Sequence, residues 1–135
     1  MKSDIPILKV KDLAVAISPR EEPSGEDDLW EVYLLNLKEE PIKDILVNSR
    51  GYGEVDGEMR RTSQFRFYFE KIAPLSYIIL EHIQSRLFDF TNEYWISFVH
   101  GGYMYDKKYV FVKGSIDQIN FTTIPFLGRK GVMIK

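Results

Sequence analysis

Residues 48–72 read NSRGYGEVDGEMRRTSQFRFYFEKI. In the second half Phe65, Phe67 and Phe69 alternate with Gln64, Arg66 and Tyr68. Successive strand side chains point to opposite sides, so this spacing describes a strand with one buried face. In the middle, Asp56-Gly57 sits between extended segments and signals a two-residue hairpin, because a type I′ turn needs positive φ at both central positions. Such a loop pairs Val55 with Glu58. Carried on unbroken, that register sets Phe65 beside Asn48 and Phe69 beside Asp44, so the Phe face meets a polar one. A slip of one residue flips every side chain. It pairs either Phe65 with Val47 and Phe67 with Ile45, or Phe67 with Val47 and Phe69 with Ile45. The expected remedy is a β-bulge at Gly51 or Gly53 that absorbs one residue. Failing that, 42–49 and 63–72 are not direct partners.

Outward from this hairpin, strand-like runs recur. They are LAVAIS (13–18), LWEVYLLNL (29–37), IKDILVNS (42–49), SQFRFYFEKI (63–72), LSYIILEHI (75–83), YWISFVHGGYM (94–104) and KKYVFVKGSI (107–116). Pro41, Pro74 and a turn near Tyr105-Asp106 punctuate them, and QSRLFDFTNE (84–93) has room for a helical turn. PREEPSGEDD (19–28) reads as an acidic solvated loop. No segment holds a sustained helical period, so the expectation is all-β. About seven short strands with regular turns predict an immunoglobulin-like or fibronectin-III-like β-sandwich, with a small closed β-barrel as the alternative. Residues 1–135 make one domain, with an N-terminal segment at 1–12 and an extended apolar arm at 120–135.

Several strands are apolar on both sides. Leu29, Tyr33, Leu35 and Leu37 share one parity in 29–37, against Trp30, Val32 and Leu34; Tyr94, Ile96 and Phe98 oppose Trp95 and Val99. A two-layer sandwich covers one face of each sheet. The other face is left to the chain ends, to a partner, or to solvent. In the tail, Ile124, Phe126, Leu127, Val132 and Ile134 are too apolar for a disordered segment, while Pro125 and two glycines forbid a long helix. This predicts an arm docked on the body or on a neighbouring subunit, and names those five residues as a candidate interface.

The chain has 135 residues, no cysteine, a formal charge of -2 and 14% aromatic residues. Without cysteine there is no disulfide framework, thiolate metal site or Cys nucleophile. No run approaches the ~20 apolar residues of a membrane span. The expected setting is a reducing cytoplasm, with no membrane. The acidic balance, with Glu21, Glu22, Glu26, Asp27 and Asp28 clustered, argues against nucleic acid as the main partner.

Candidate chemistry is sparse. Gly51, Gly53 and Gly57 miss the dinucleotide spacing by one residue and no helix follows them, so a phosphate cradle is not supported. Arg50, Tyr52, Arg60 and Arg61 remain as a candidate surface for an anion or an acidic partner. His82 and His100 fit no metal-ligand spacing with Glu81 or Glu93, and adjacent Glu81 and His82 point to opposite faces of a strand. His100-Gly101-Gly102 is similar to an oxyanion-hole segment, but no G-x-S-x-G accompanies it. No catalytic residue, metal, cofactor or small-molecule ligand is assigned. An enzyme on this scaffold would need a concave pocket holding a perturbed carboxylate or one of the two histidines.

The order EVYLLNL, ILVNSRGYGEVDGE, RTSQFRFYFEKI, NEYWISFV, YDKKYVFVKGSI and IPFLGRKGVMI resembles a family of small bacterial proteins, sometimes labelled as related to a phenylalanyl-tRNA synthetase subunit. The resemblance spans nearly the whole chain and brings no catalytic motif. A class II synthetase core needs motif helices and ATP-binding arginines that these strands do not supply. The expected function is a non-enzymatic protein-interaction or structural module that forms a homodimer. The alternative is a small RNA-, tRNA- or anion-binding accessory module using the 48–63 arginines.

Overall fold

The computed structural model describes residues 8–20 and 28–135. The start of the N-terminal segment and most of the acidic loop, residues 21–27, lie outside them. The strands are β1 (Leu13–Pro19), β2 (Leu29–Asn36), β3 (Ile42–Val55), β4 (Glu58–Arg61), β5 (Phe65–Ile72), β6 (Ser76–Gln84), β7 (Thr91–His100), β8 (Tyr103–Phe111), β9 (Thr122–Ile124) and β10 (Arg129–Ile134). Short 3₁₀ turns occupy Ser85–Asp89, inside the segment read as a helical turn, and Gln118–Asn120.

One antiparallel sheet runs β6-β2-β1-β10-β9; the other runs β4-β3-β7-β8, with β5 also on β3. Neither closes on itself, so the molecule is a β-sandwich and the barrel alternative falls away. β1, β2 and β6 lie in one layer and β3, β7 and β8 in the other, with β5 beside β3 at the sheet edge. Leu13, Val15, Ile17, Val32 and Leu34 of the first sheet meet Ile45, Val47, Tyr94, Ile96, Phe98 and Phe111 of the second, all almost fully buried. Each such side chain contributes roughly 1.5–3 kcal/mol by leaving water.

The 48–72 stretch is the expected hairpin with its slip in a different place. Asp56 (φ 52) and Gly57 (φ 80) make the two-residue turn, and Val55 pairs with Glu58. Further on, Val47 faces Phe67 and Ile45 faces Phe69, so the Phe face meets the apolar side of β3. The extra residue is not at Gly51 or Gly53. Between the pairs Tyr52–Arg61 and Ser49–Phe65, β3 passes two residues while the returning chain passes Thr62, Ser63 and Gln64. Gly51 has another purpose, since a Cβ there would lie 2.8 Å from Thr62 Oγ1. The Thr62 hydroxyl fills that space and accepts from the Gly51 amide at 2.7 Å.

The turn expected near Tyr105-Asp106 is instead at Gly101-Gly102, where φ is 59° and 81°. The two glycines that resembled an oxyanion segment are therefore the centre of the β7–β8 hairpin.

The tail is built into the same chain. The last part of β10 pairs with β1, and the β9–β10 hairpin lies over the outer side of the first sheet. There Ile124 joins Ala14, Ala16, Tyr33 and Leu35 in a second buried cluster, flanked by Leu37, Leu127 and Met133. Arg129 pins the hairpin down. Its guanidinium donates to Pro19 O at 3.1 Å and to the Tyr33 hydroxyl, and pairs with Glu31 at 3.3 Å. The second apolar side of β2 is thus closed by the chain's own end.

Candidate functional site

The outer side of the other sheet has no such cover. Register sets Arg66, Asn48, Trp95 and Lys108 in one row across β5, β3, β7 and β8. The next row is Tyr68, Leu46, Ser97 and Asp106. Leu46, Tyr68, Trp95 and Met104 are 50%, 57%, 41% and 73% exposed. Polar groups hold the rings in place. Lys108 Nζ lies 4.7 Å from the Trp95 ring centre, Trp95 Nε1 donates to Asp106 at 3.3 Å, and the Tyr68 hydroxyl donates to Asp44 at 2.7 Å. That last bond, ahead of the other influences on it, raises the Tyr68 pKa. The result is an aromatic and aliphatic strip between charges of both signs.

The four residues singled out around the hairpin divide. Arg50 Nε pairs with Glu93 at 2.8 Å, directly across from it on β7, and its guanidinium lies 5.5 Å from the Tyr52 ring centre. Arg50 therefore neutralises a buried carboxylate, and Tyr52 supports it. Arg60 lies 3.7 Å from Glu58 with both side chains mostly exposed, a geometry worth little. Arg61, across from Tyr52, makes no ion pair among the described residues. The five tail residues lie elsewhere. Ile124 and Val132 are buried, Leu127 and Ile134 are partly buried, and only Phe126, 47% exposed, faces outward.

A concave site opens where β4 gives way to β5. This cleft of about 510 Å³ is lined from β3 (Ser49, Gly51), the 61–65 junction (Arg61, Thr62, Phe65), β6 (Glu81, Ile83), the following 3₁₀ turn (Arg86, Leu87) and β7 (Asn92, Tyr94). Phe65 has the inward parity of Phe67 and Phe69, yet it is 51% exposed because the cleft lies beneath it. On the inner wall the Tyr94 hydroxyl donates to Glu81 Oε2 at 2.7 Å. Burial raises the Glu81 carboxyl above its ordinary range, against the lowering effect of that bond. Burial, with the Glu81 charge beside it, pushes the Tyr94 phenol well up. No signal in the sequence assembled this cleft, since its walls come from three separated segments, 49–51, 61–65 and 81–94.

Glu81 meets the stated condition of a perturbed carboxylate in a pocket. It is the only carboxylate among the described lining residues, and neither histidine joins it. His82 lies 3.5 Å from Glu31 on the other side of β6, and His100 lies 3.3 Å from Glu40. Among the described residues no three His, Cys, Asp or Glu side chains gather as a metal site. No helix among them is long and apolar enough to cross a membrane. Comparison with protein-family models, with curated proteins and with solved structures finds no match to this chain.

Proposed function

We propose that this protein is a non-enzymatic interaction module that self-associates through the uncovered side of the β5–β3–β7–β8 sheet. One observation carries the reading: the chain covers the outer side of β1 and β2 in one sheet with its own tail and leaves Leu46, Tyr68, Trp95 and Met104 bare on the other. Clustered exposed apolar groups rimmed by charge mark interaction surfaces. Aromatic and Met side chains are enriched there. A second copy is favoured as partner by the charge pattern. Arg50, Arg66 and Lys108 are matched on this side by Asp44, Glu93 and Asp106. A two-fold interface must be self-complementary, and a surface with both signs interspersed can be. Nucleic acid would call for an unmatched excess of cations. The inferred setting is the cytoplasm, where a cysteine-free sandwich holds without disulfides.

Sedimentation equilibrium from micromolar to millimolar protein tests the reading. A dimer that Leu46→Lys and Trp95→Asp each drive to monomer, with thermal stability kept, is the expected result. A wild-type chain that stays monomeric at millimolar concentration overturns it.

A further inference from the structure

The cleft between the β4–β5 junction and β6 is separate from that surface, and its chemistry is specific. Its outer rim carries two guanidinium groups that have no carboxylate partner among the described residues. Arg61 makes no ion pair, and Arg86 only donates from Nε to Gln84 at 2.8 Å. Arg50, by contrast, is already committed to Glu93. The walls are apolar, with Phe65, Ile83 and Leu87 facing the opening. At the inner end Glu81 holds the Tyr94 hydroxyl with Oε2, and Oε1 has no partner among the described residues.

We infer that the cleft binds a small organic anion whose apolar body carries a hydrogen-bond donor at the end away from the charge. The anionic head seats on Arg61 and Arg86, since paired guanidinium groups bind carboxylates and phosphates through charge-assisted, often bidentate, hydrogen bonds. The body covers Phe65, Ile83 and Leu87, and the donor reaches the free Glu81 oxygen. A volume of about 510 Å³ lies within the usual range for small-molecule sites. The slip in strand pairing explains the opening. Ser63 and Gln64 belong to neither strand, so the sheet edge parts there and leaves Phe65 unroofed. Of the three arginines lining the cleft, Arg50 is balanced by Glu93, and the two left beside the single carboxylate Glu81 disfavour a purely cationic ligand.

The test uses four ring compounds on the full chain, followed by protein NMR. The probes are para-hydroxyphenylpropanoate, phenylpropanoate, phenyl phosphate and benzylamine. The hydroxylated acid should shift resonances of Phe65, Ile83, Leu87 and Asn92. Each of Arg61→Gln and Arg86→Gln should weaken it about tenfold, the effect of losing one charge-assisted hydrogen bond. Phenylpropanoate should bind several-fold more weakly in the wild type, and Glu81→Gln should narrow that gap. Phenyl phosphate tells whether the head is better a phosphate or a carboxylate, and its binding should depend on the same two arginines. Benzylamine should leave the cleft unshifted. Binding of benzylamine as tight as that of the acids, acids that shift nothing at millimolar concentration, or arginine variants that bind normally would each overturn the proposal. Arg61 and Arg86 are both exposed, so their variants should fold.

Discussion

Gly131 lies where β10 crosses from β9 to β1, and a Cβ there would press on the backbone carbonyl of Ile17 and on Ser18. Backbone in a paired strand cannot step aside as a side chain does. At Gly51 the obstacle is the Thr62 side chain, and at Gly53 the nearest atom, Phe90 Cδ1, is at an ordinary 3.4 Å. The expected order of destabilisation is therefore Gly131→Ala, then Gly51→Ala at about 1–3 kcal/mol, then Gly53→Ala close to neutral. Urea midpoints for the three variants check it, and a Gly53 variant as damaging as the Gly131 one contradicts it. Glu81 makes a pH prediction. Its folded pKa is raised above the ordinary value of 4.5, chiefly by burial. The folded state therefore holds its proton more tightly than the unfolded chain. The associated stability is fully present below about pH 4.5 and is lost as pH rises through the folded value. Glu81→Gln should flatten this decline, seen as a smaller loss of urea midpoint between mildly acidic and neutral pH. An unchanged slope would mean that the carboxyl titrates as it does in the unfolded chain. Neither effect can be read from the residue names alone. Glu81 is legible only as a strand residue beside a histidine, and its raised pKa comes from burial in the folded sandwich, against the lowering effect of the bond from Tyr94.

At the level of elements, the C-terminal hairpin supplies a neighbouring strand for β1 and a cover for the outer side of β2. Ile124 is 1% exposed against Ala14, Ala16, Tyr33 and Leu35. Ile124→Ala should destabilise the fold by about 2–5 kcal/mol through lost burial and the cavity left behind. Phe126→Ser, at a half-exposed turn position, should change it by about 0.5 kcal/mol or less. Denaturant unfolding of both variants separates a hairpin that is part of the core from one that merely rests on it. Alternation made most of this architecture legible. Phe65, Phe67 and Phe69 specified a strand and the side it buries, and Leu35 and Tyr33 showed that β2 is apolar on both sides. That the 120–135 arm docks on its own body rather than on a neighbouring subunit was not legible, because Val15 and Ile134 are paired across almost the full length of the sequence. The bulge was misplaced for a related reason. The register arithmetic allows the extra residue either in β3, which pairs Phe65 with Val47, or in the return toward β5, which pairs Phe67 with Val47; glycine's freedom drew attention to β3, and the observed pairs take the return. Thr62 instead occupies the space that Gly51 leaves.

For the molecule as a whole, the two sheets are treated differently: the tail buries the outer side of β1 and β2 in one, where Tyr77 and Ile79 of β6 stay part-exposed, and no such hairpin lies over the outer side of the other. That asymmetry gives the exposed strip its meaning, because a side chain that does not stabilise the fold is free to serve contact. Ile45 and Leu46 are adjacent on β3 and comparable in size, at 0% and 50% exposure. If the strip belongs to an interface, the two positions should separate cleanly. Ile45→Ala should lower the unfolding free energy by about 2–5 kcal/mol. Leu46→Ala should change it by about 0.5 kcal/mol or less at dilutions where the chain is monomeric. At higher concentration Leu46→Ala should also weaken self-association, whereas any effect of Ile45→Ala on association should only follow its loss of folded protein. Unfolding curves at two protein concentrations measure both terms, since a dimer that binds only the folded state makes the midpoint rise with concentration. A Leu46→Ala variant as unstable as Ile45→Ala when dilute would assign the strip to folding. A wild-type midpoint that does not move with concentration would take away the second copy as its partner.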